Sequence, residues 1–443
     1  MSLLHTTDAP MTQDTTTLQL PYGTTTVGLR IPADRCLRAG VQGEDAGAEP
    51  LEAFGSALKN PLGSPPLEDL ARGRKVCLIL DDATRSEPHE AYVRACLPRL
   101  RDAEAVTAII ATGSHQVRSE GNLEIVRRFH RIAQEVEIEA KAFIHDCHEE
   151  ALLADLGRTG RGTPVRASIR SLEWDLFVAS SDMKNHYFAG YSNPLKNFLP
   201  GVCSYDSIEA NHALALDPRS SFGRHPWHPD PDRRDNPVAL DMQEARLMIT
   251  GPREIFVLAS VCGHGGVLWA GAGEIHSVTR AGMEKVDEVA AAHAPAASRV
   301  IVCPGGDPQD ESLYNAQRGV ELAKNCMREG AEVLLLAACP KGVAPTPKAR
   351  ENFFDRLTAP LDDVLASLED RYVLYSHKAY KFAALLKQLG VFHLYTELDE
   401  ETVRAGHMQK TDDPQALVDR WLKESDEPIL VVEDANKVAL YAQ

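Results

Sequence analysis

KVCLILDDATR, residues 75–85, is the stretch from which the fold class of this 443-residue chain is predicted. Five apolar residues follow one another and then give way to a polar turn. An aliphatic run of this kind is typical of a strand that is buried on both faces of a parallel sheet. The helical pattern HEAYVRACLPRLRD follows at residues 89–102. Together they predict one strand–helix unit of an α/β fold.

The same alternation of strand-like and helix-like segments recurs along the chain. The strand-like runs are AVTAIIATGSH (105–115), AKAFIHDCHEE (140–150), WDLFVASSDMKNH (174–186), EIFVLASVCG (254–263), RVIVCPGG (299–306), AEVLLLAACPKG (331–342), DRYVLYSHK (370–378) and VFHLYTEL (391–398). We therefore predict an α/β protein with a parallel-sheet, Rossmann-like N-terminal domain and a second, smaller α/β domain.

The domain boundary is predicted near residue 285, where TRAGMEKVDEVAAAHAPAASR indicates a helix and an Ala/Pro-rich joint. This gives an N-terminal catalytic and cofactor domain at 1–285 and a C-terminal domain at 286–424. Residues 425–443 are expected to be able to pack back onto the first domain. The proline-rich stretch RHPWHPDPDRRDNP (224–237) is interpreted as a long loop inside the first domain.

Composition restricts the partners and the compartment. A net charge of −17, from 64 acidic and 47 basic residues, opposes attraction to nucleic acid and to anionic membranes. Nine scattered cysteines without a C-x-x-C pair indicate free thiols in a reducing compartment. No apolar run approaches the roughly 20 residues of a membrane span, and the start lacks a secretory signal pattern. We expect a cytoplasmic protein with an irregular start and neither nucleic acid nor membrane as partner.

Polar side chains follow three of the predicted strands, at the edge where ligands bind in open α/β sheets. They are Asp82, Thr84 and Arg85 after the first strand, His115 after the second, where Gly113 lies in the same turn, and His186 after the third. His115 and His186 are candidates for an acid/base pair near neutral pH. Asp82 and Arg85 fit a structural ion pair equally well.

The segment HYFAGYSNPLKNFLPGVCSYDSIEANH, residues 186–212, adds Lys196 and His212. Its glycines and prolines exclude a single helix, and a short helix is predicted after Ser207. Lys196 fits either a solvated or anion-binding lysine, or one that bonds covalently to a cofactor. His186 and His212 are too far apart for a helical metal-ligand pair.

Two other histidine pairs have the short spacing of metal ligands. They are His145/His148 and His225/His228, and polar loops produce this H-x-x-H spacing by chance. Ordinary loop residues are the favoured interpretation of both pairs.

These motifs together resemble the nickel-dependent lactate racemase family of 2-hydroxyacid racemases and epimerases. The resemblance rests on DDATR (81–85), on TGSH (112–115), and on H-x-x-x-G-[YF]-S-x-x-x-K-x-x-x-P-G ending in NH (186–212). GGDPQDESLYNAQRGVELA (305–323) is similar to the second-domain signature of that family, so the likeness runs from about residue 20 to about residue 435.

The resemblance implies an active site in the cleft between two α/β domains. It implies nickel held in a pincer nucleotide, a pyridinium-type mononucleotide attached covalently through Lys196, with His212 completing the coordination of the metal. Such a cofactor requires separate maturation enzymes as partners. Asp82, Thr84, Arg85, Gly113, Pro200 and Gly201 are the further residues expected to contact the cofactor.

The implied reaction is the racemisation or epimerisation of a 2-hydroxy acid by hydride transfer. His115 and His186 would be the two acid/base groups, because the hydroxyl group points in opposite directions in the two enantiomers. Arg85 and Arg318 are candidates for binding the substrate carboxylate. Tyr314 and Asn315 lie in the same signature and are candidate substrate contacts.

The chain departs from the family pattern at two places. Ser192, Asn193, Pro194 and Leu195 precede the tether lysine where lactate racemases carry S-G-G, which predicts a stiffer loop. Asn315 and Arg318 replace the glutamine and lysine of Y-Q-x-x-K, so the substrate need not be lactate.

Two other functions fit the predicted fold. A pyridine-nucleotide dehydrogenase is disfavoured, because no G-x-G-x-x-G follows a predicted strand. A catalytically silent protein that binds a hydroxy acid or a nucleotide is disfavoured by the intact set of His115, His186, Lys196 and His212. The substrate side chain and the oligomeric state are left open by the sequence.

Overall fold

The protein is described by a computed structural model over residues 15–40, 47–85, 87–263 and 265–443. The α/β class predicted from the sequence is confirmed, with two six-stranded sheets built largely or entirely from parallel pairs. The irregular start predicted for the first residues falls at 1–14, outside the described residues.

The strands of the described residues are numbered in chain order. They are β1 (Thr15–Tyr22), β2 (Thr25–Pro32), β3 (Cys36–Ala39), β4 (Lys75–Asp81), β5 (Ala105–Ala111), β6 (Ala140–Ile144), β7 (Leu153–Arg158), β8 (Pro164–Ser168), β9 (Leu176–Asp182), β10 (Lys184–His186), β11 (Gly190–Ser192), β12 (Glu254–Cys262), β13 (Val267–Glu274), β14 (Ala291–Ala294), β15 (Ala297–Val302), β16 (Met327–Leu336), β17 (Val391–Tyr395), β18 (Gln409–Lys410), β19 (Ile429–Val432) and β20 (Ala439–Ala442).

The α-helices are numbered in the same way. They are α1 (Pro50–Lys59), α2 (Leu67–Ala71), α3 (His89–Cys96), α4 (Glu120–Glu135), α5 (Tyr205–Ala213), α6 (Pro237–Thr250), α7 (Ile275–Ala290), α8 (Leu313–Ala323), α9 (Pro347–Arg350), α10 (Leu361–Asp370), α11 (His377–Gln388), α12 (Glu400–Ala405) and α13 (Pro414–Glu424).

The chain divides into two compact units. The larger unit comprises Val41–Ala291 and Leu365–Lys381, and the smaller unit comprises Met1–Gly40, Ala292–Val364 and Phe382–Gln443. The division after Ala291 falls six residues beyond the predicted boundary at 285. It differs from the predicted domains in that the first 40 residues group with the smaller unit.

The sheet of the larger unit has the strand order β13-β12-β9-β4-β5-β6. β12 and β13 pair antiparallel at one edge, and the other neighbours are parallel. Alternate residues of β4, such as Val76, Leu78 and Leu80, enter a core formed with α1, α3 and α4. Because the strands are parallel, the turns after β4, β5 and β9 lie at one edge of the sheet.

The sheet of the smaller unit is parallel throughout, with the order β18-β17-β16-β15-β19-β3. β19 pairs with β15 on one side and with β3 on the other. Residues 425–443 were expected to be able to pack back onto the first domain. They instead contribute β19 to the sheet of the smaller unit. The cause is the apolar run Ile429–Val432, which is buried inside the sheet.

One predicted strand is wrong. DRYVLYSHK (370–378) forms no strand: it includes the last residue of α10, an irregular turn and the start of α11. Residues 365–381 group with the larger unit, where Leu374 is buried and Tyr372, Val373 and Tyr375 are half-buried without sheet pairing.

Within the described ranges, no helix is long and apolar enough to cross a membrane. All nine cysteines are free thiols, and seven of them are buried, as their positions in apolar runs predict.

Candidate functional site

A carboxylate–imidazole pair lies at the carboxyl edge of the larger unit's sheet. Oδ2 of Asp82 accepts a hydrogen bond from Nδ1 of His115 at 3.0 Å, and its Oδ1 accepts one from the Thr84 hydroxyl at 2.8 Å. Burial alone raises the pKa of Asp82, but the hydrogen bond from His115 and its charge outweigh burial and hold that pKa below its usual value. The ionised carboxylate fixes a proton on Nδ1 of His115, which leaves Nε2 to act as a base.

Arg85 lies farther from Asp82 than His115 does. Its Nε atom is 4.0 Å from Oδ1 of Asp82, and its backbone N–H donates to the Asp82 carbonyl at 3.0 Å. The ion pair considered for Asp82 and Arg85 is thus a long contact, and the closer partner of the Asp82 carboxylate is His115. Arg85 lines a cavity of about 590 Å³ together with Glu87 and His89.

The turn that carries His115 is joined to the segment that carries Lys196 through backbone contacts. The N–H of Gly113 donates to the carbonyl of Gly201 at 3.0 Å, and Gly113 has φ +53°. A Cβ atom at Gly113 would lie 3.3 Å from Cβ of Pro200. Gly113, Pro200 and Gly201 thus form the junction between the two loops, which explains why a small residue is needed there.

Lys196 lies on a 3-10 turn, Pro194–Asn197, that the sequence specifies locally. The side chain of Asn193 caps the turn by accepting from the N–H of Leu195 at 2.9 Å, and Pro194 occupies the first position. The predicted stiffening by Asn193 and Pro194 therefore takes the form of a capped turn. The charge of Lys196 lowers the pKa values of both Asp81 and His212, so its ammonium group lies within electrostatic range of these two side chains.

His212 lies in the last turn of α5. The helix begins at Tyr205 with Ser204 as its cap, so its predicted start after Ser207 is wrong by three residues. Burial, and next the charge of Lys196, lower the pKa of His212 to about 3. Its Nδ1 atom is buried and has no hydrogen bond of good geometry with the described residues, although the Ile208 carbonyl one turn earlier is near enough to oppose the lowering of its pKa. A neutral imidazole is the form that binds metal ions.

His186 ends β10 in a tight hairpin with β11. Its Nδ1 accepts the N–H of Ala189 at 3.2 Å, which is the opposite of the donor role that Nδ1 has in His115. The ring of Phe188 connects the two imidazoles, with its centroid 4.5 Å from that of His186 and 5.3 Å from that of His212. The hairpin needs Gly190, which has φ +78° and at which a Cβ would lie 1.7 Å from the Arg224 carbonyl oxygen.

The structure therefore brings together the four residues singled out by the sequence. His186 and His212 contact the same phenylalanine ring, and both Lys196 and His115 act electrostatically on His212. Tyr314, Asn315 and Arg318 lie on α8 of the smaller unit, where the Asn315 amide donates to Glu311 at 3.0 Å. Their role as substrate contacts stays a prediction.

Sequence analysis missed a further part of the site, the Tyr372–Lys381 segment. Within the larger unit, the Tyr375 hydroxyl donates to the hydroxyl of Ser114 at 2.7 Å. Ser114 is the residue directly before His115. The N–H of Leu374 donates to Oε1 of Glu209 on α5 at 2.9 Å. Residues 370–378 were predicted as a strand because Tyr372–Tyr375 form a continuous apolar run, which is typical of a short buried strand.

His377 of the same segment contacts the imidazole cluster directly. Its ring centroid lies 4.7 Å from that of Phe188 and 6.0 Å from that of His212. Its Nδ1 atom is 2.7 Å from the hydroxyl of Tyr372. Burial, and next the charge of His212, lower the pKa of His377 well below its usual value, so this ring is neutral.

The two H-x-x-H pairs have structural contacts. Nε2 of His145 contacts the Cys203 carbonyl oxygen at 2.8 Å, and His148 stacks on Tyr205. His228 lies 3.5 Å from Asp287, whose carboxylate also accepts from the Tyr191 hydroxyl at 2.7 Å. In the part of the chain that the structure describes, no group of three or more His, Cys, Asp or Glu side chains could hold a metal ion by itself.

The 224–237 loop belongs to the larger unit and is irregular except for a 3-10 turn at Pro231–Arg233. An ion pair of 3.0 Å joins Arg233 to Asp287 on α7, and Arg224 pairs with Asp235 inside the loop. The loop is thus held in place by charged contacts at the Gly190 hairpin.

The fold and the site together define an α/β protein with a lysine, a neutral imidazole and a carboxylate-supported histidine at one sheet edge. Residues 22–223 match the family model of the lactate racemase N-terminal domain. The resemblance to the lactate racemase family found in the sequence is confirmed by this match and by two curated relatives.

Two curated relatives are lactate racemases. The one from Thermoanaerobacterium thermosaccharolyticum is 28% identical over 337 residues, which are 73% of this chain and 75% of the relative. The one from Lactiplantibacillus plantarum is 26% identical over 369 residues, which are 81% of this chain and 82% of the relative.

Two solved structures have a similar fold. The lactate racemase apoprotein from T. thermosaccharolyticum matches with a TM-score of 0.81 and 24% identity, covering 96% of this chain and 100% of that chain. A protein from Thermotoga maritima matches with a TM-score of 0.60 and 15% identity, covering 90% of this chain and 100% of that chain.

Proposed function

We propose that this protein is an isomerase that racemises or epimerises a 2-hydroxy acid. The two curated relatives, both named lactate racemase, support a racemase of this class. The proposal is carried by two observations: His186 and His212 contact the same ring, Phe188, and the charges of Lys196 and His115 both act on His212. An amine and three imidazoles in one place are suited to covalent cofactor attachment, metal binding and proton transfer.

The donor set fits a tethered nickel-pincer nucleotide. Lys196 would hold the cofactor covalently, and His212 would supply the one protein ligand that the metal needs beyond those of the nucleotide. The buried Nδ1, without a hydrogen bond of good geometry, and the low pKa of His212 support a neutral ring, and one imidazole ligand is consistent with the lack of a larger ligand cluster in the described residues. When bound, the cofactor supplies a hydride acceptor and donor.

The two histidines move the hydroxyl proton of the substrate. His115 is supported as a base by Asp82, whose negative charge stabilises the imidazolium that forms when Nε2 takes a proton. In this proposal His186 serves the other enantiomer, and its Nδ1 accepts the Ala189 N–H. With these partners, the neutral His115 ring carries its proton on Nδ1, and the neutral His186 ring carries its proton on Nε2.

The substrate carboxylate binds Arg85 in this proposal. Its guanidinium is 30% exposed and lies at the same edge as His115. Tyr314, Asn315 and Arg318 are the further substrate contacts, and maturation enzymes supply the cofactor. The free thiols agree with action in the cytoplasm.

The experiment that tests this function is intact-mass analysis after co-expression with cofactor-maturation enzymes. We expect a covalent adduct and about one nickel ion per chain, in keeping with a site of one tether and one metal. Lys196→Ala should abolish the adduct, whereas Lys285→Ala, which removes a surface lysine paired with Glu288, should leave it intact. An adduct that persists in Lys196→Ala would overturn the assignment of the tether.

A second measurement tests the reaction itself. The loaded protein is incubated with single enantiomers of 2-hydroxy acids, and the mirror product is followed by chiral chromatography. Loaded protein that carries nickel and the adduct but converts none of the acids would reject the racemase proposal. A binding protein of the same fold would then be the remaining function.

A further inference from the structure

One peptide group beside His186 is hydrogen-bonded on both sides. Its N–H, from Ala189, donates to Nδ1 of His186 at 3.2 Å, and its carbonyl, from Phe188, accepts from Nδ2 of Asn236 at 2.8 Å. The C=O and the N–H of a trans peptide group lie in one plane and point in opposite directions. Asn236 therefore acts on His186 through a single rigid peptide group.

The orientation of the Asn236 amide is fixed by backbone groups. Its Nδ2 also donates to the Ser221 carbonyl at 3.1 Å, and its Oδ1 accepts from the N–H of Ala239 at 3.0 Å. A carbonyl oxygen can only accept and an N–H can only donate, so the amide cannot be turned over. The residue is buried, so solvent does not compete for these bonds. Asn236 thus always presents a donor to the Phe188 carbonyl.

The position of Asn236 is set by the helix that it caps. Asn236 is the N-cap of α6, and Pro237 occupies the first helical position. Three of the next residues of the helix, Val238, Ala239 and Met242, are buried, so this end of α6 is packed into the protein. A donor at the start of a packed helix is held more precisely than a donor on a loop.

The chain before Asn236 is bonded to the same hairpin, β10–β11, at two other places. The N–H of Gly223 donates to the Gly190 carbonyl at 3.1 Å. The Arg233 guanidinium donates to the Gly223 carbonyl at 2.6 Å and to the Tyr191 hydroxyl at 2.8 Å. The hairpin that carries His186 and the loop that leads to Asn236 therefore restrain each other.

We propose that Asn236 is a positioning residue for His186. It holds the Phe188–Ala189 peptide group so that the N–H of this group keeps the ring proton of His186 on Nε2. The two hydrogen bonds strengthen each other, because a carbonyl that accepts a hydrogen bond polarises the N–H of its own peptide group. The 224–237 loop thereby gains a function that the sequence alone did not supply.

The proposed function gives this positioning a catalytic meaning, and the inference rests on it. The Asp82 carboxylate keeps the ring proton of His115 on Nδ1 and leaves Nε2 free to accept a proton. Asn236 does the reverse at His186, where the ring proton stays on Nε2. His186 can act as a base at Nε2 only after this proton has moved, so Asn236 contributes to the difference between the two histidines.

The test measures the histidine tautomers by nitrogen NMR on the full chain, made without the cofactor-maturation partners. The chemical shift of a ring nitrogen separates its protonated from its unprotonated form, so each neutral ring reports its tautomer. Spectra are recorded well above the usual histidine pKa of about 6.5, and His186→Gln identifies the His186 signals.

Two variants weaken the donor and keep the helix cap. Asn236→Asp loses both amide hydrogens, and Asn236→Ser leaves one hydroxyl hydrogen on a shorter side chain, while all three residue types are good N-caps. Asn60→Asp is the matched control, because it changes an exposed amide that donates to the Ser56 carbonyl. Circular dichroism checks that each variant is folded, and Asn236→Ser decides the question if Asn236→Asp is not.

In the wild-type protein we expect His186 to carry its ring proton mainly on Nε2. Asn236→Asp should lower the ratio of the Nε2–H to the Nδ1–H form about fivefold, which is the effect of one hydrogen bond, and Asn236→Ser should lower it less. The His115 ring should keep its tautomer in both variants, and Asn60→Asp should match the wild type. Three results would overturn the inference: the same His186 ratio in both variants and the wild type, a wild-type His186 protonated mainly on Nδ1, or an equal change at His115.

The outcomes distinguish this inference from the proposed function, because the tautomer is measured without turnover. In the loaded enzyme, Asn236→Asp should narrow the gap between the first half-reactions of the two enantiomers by up to about fivefold, since more His186 rings start with a free Nε2. An unchanged gap would overturn the link to catalysis. If the tautomer depends on residue 236 but no acid is racemised, the racemase proposal fails and the positioning by Asn236 stands. If acids are racemised and the tautomer does not depend on residue 236, only the inference is rejected.

Discussion

Replacing Asp82 by Asn tests whether the carboxylate makes His115 a base. The change keeps the shape of the side chain but removes the negative charge that lies 3.0 Å from Nδ1 of His115. An amide also offers an N–H as readily as an oxygen, so the proton is no longer fixed on Nδ1. We expect the substitution to slow proton removal by His115 and to leave proton removal by His186 nearly unchanged.

The size of the effect follows from the exposure of the pair. Loss of a buried carboxylate behind a catalytic histidine lowers the rate by up to about 10⁴-fold in serine proteases. Here Asp82 is 2% exposed but the His115 side chain is 34% exposed, so solvent screens part of the interaction. We therefore expect a loss of about 10²-fold, which corresponds to about 2.7 kcal/mol in the activation free energy.

The assay must be a single-turnover measurement. When substrate and product are mirror images, their equilibrium constant is one, so kcat/KM has to be equal in the two directions for any variant. Enzyme in excess is therefore mixed with each enantiomer of a 2-hydroxy acid, and the 2-oxo acid formed in the first half-reaction is trapped by chemical quench. Each enantiomer then reports on one histidine.

Asp82→Asn should slow 2-oxo acid formation from one enantiomer about 10²-fold more than from the other. Thr84→Ala removes the hydroxyl that donates to Asp82 at 2.8 Å but keeps the carboxylate, so it should produce a smaller loss with the same enantiomer. Equal slowing of both enantiomers in folded Asp82→Asn, or no slowing of either, would refute the assignment of His115 as a base supported by Asp82.

Three further predictions concern stability and are read from urea unfolding. Gly190→Ala should lower the free energy of unfolding by more than about 3 kcal/mol, because the new Cβ would lie 1.7 Å from the Arg224 carbonyl oxygen. Gly73→Ala, also at positive φ but in open space, should lower it by about 1 kcal/mol. Equal losses in the two variants would contradict the packing argument. Burial raises the pKa of Asp287, but hydrogen bonds from His228 and Tyr191 outweigh it and hold the pKa in the folded protein below 3.8. The ionised carboxylate therefore stabilises the folded protein above pH 3.8, and this stabilisation is lost as the pH falls through the pKa of the folded state. The deficit of Asp287→Asn should therefore shrink below about pH 4, and a deficit that does not change with pH would exclude this linkage. Burial and the charge of Asp81 raise the pKa of Glu87 well above 4.5 in the folded protein, so the wild type loses stability as the pH rises above 4.5. Glu87→Gln lacks this titration and should gain stability relative to wild type over the same range. A relative loss would show that Glu87 is ionised in the folded protein.

Much of the larger unit could be predicted because its strands are nearly pure aliphatic runs. β4, β5 and β9 are buried on both faces, so their sequences show no alternation and their polar ends are easy to recognise. The position of His115 in the turn after β5, and that of His186 shortly after β9, followed from this pattern alone.

The parts that were missed depend on contacts between distant residues. The four-residue strand β3 carries too little pattern to predict its pairing with β19, nearly 400 residues later. Residues 370–378 were predicted as a strand because Tyr372–Tyr375 form a continuous apolar run. The contacts of this stretch with Ser114 and Glu209 leave no signal in the local sequence. The Asp82–His115 bond likewise joins two turns whose side-chain directions the sequence does not give.

The two catalytic histidines are prepared differently, and this bears on how one site treats two mirror-image substrates. Nδ1 of His115 faces an acceptor, the Asp82 carboxylate, whereas Nδ1 of His186 faces a donor, the Ala189 N–H. The resting pair therefore has an unprotonated Nε2 on His115 and a protonated Nε2 on His186, with proton positions assigned from these partners. His115 can take a substrate proton at once, but His186 must first shift its proton to Nδ1 and give up the bond to Ala189. Since kcat/KM is equal for enantiomers, this difference must appear instead as unequal first half-reactions, offset by unequal binding of the two enantiomers.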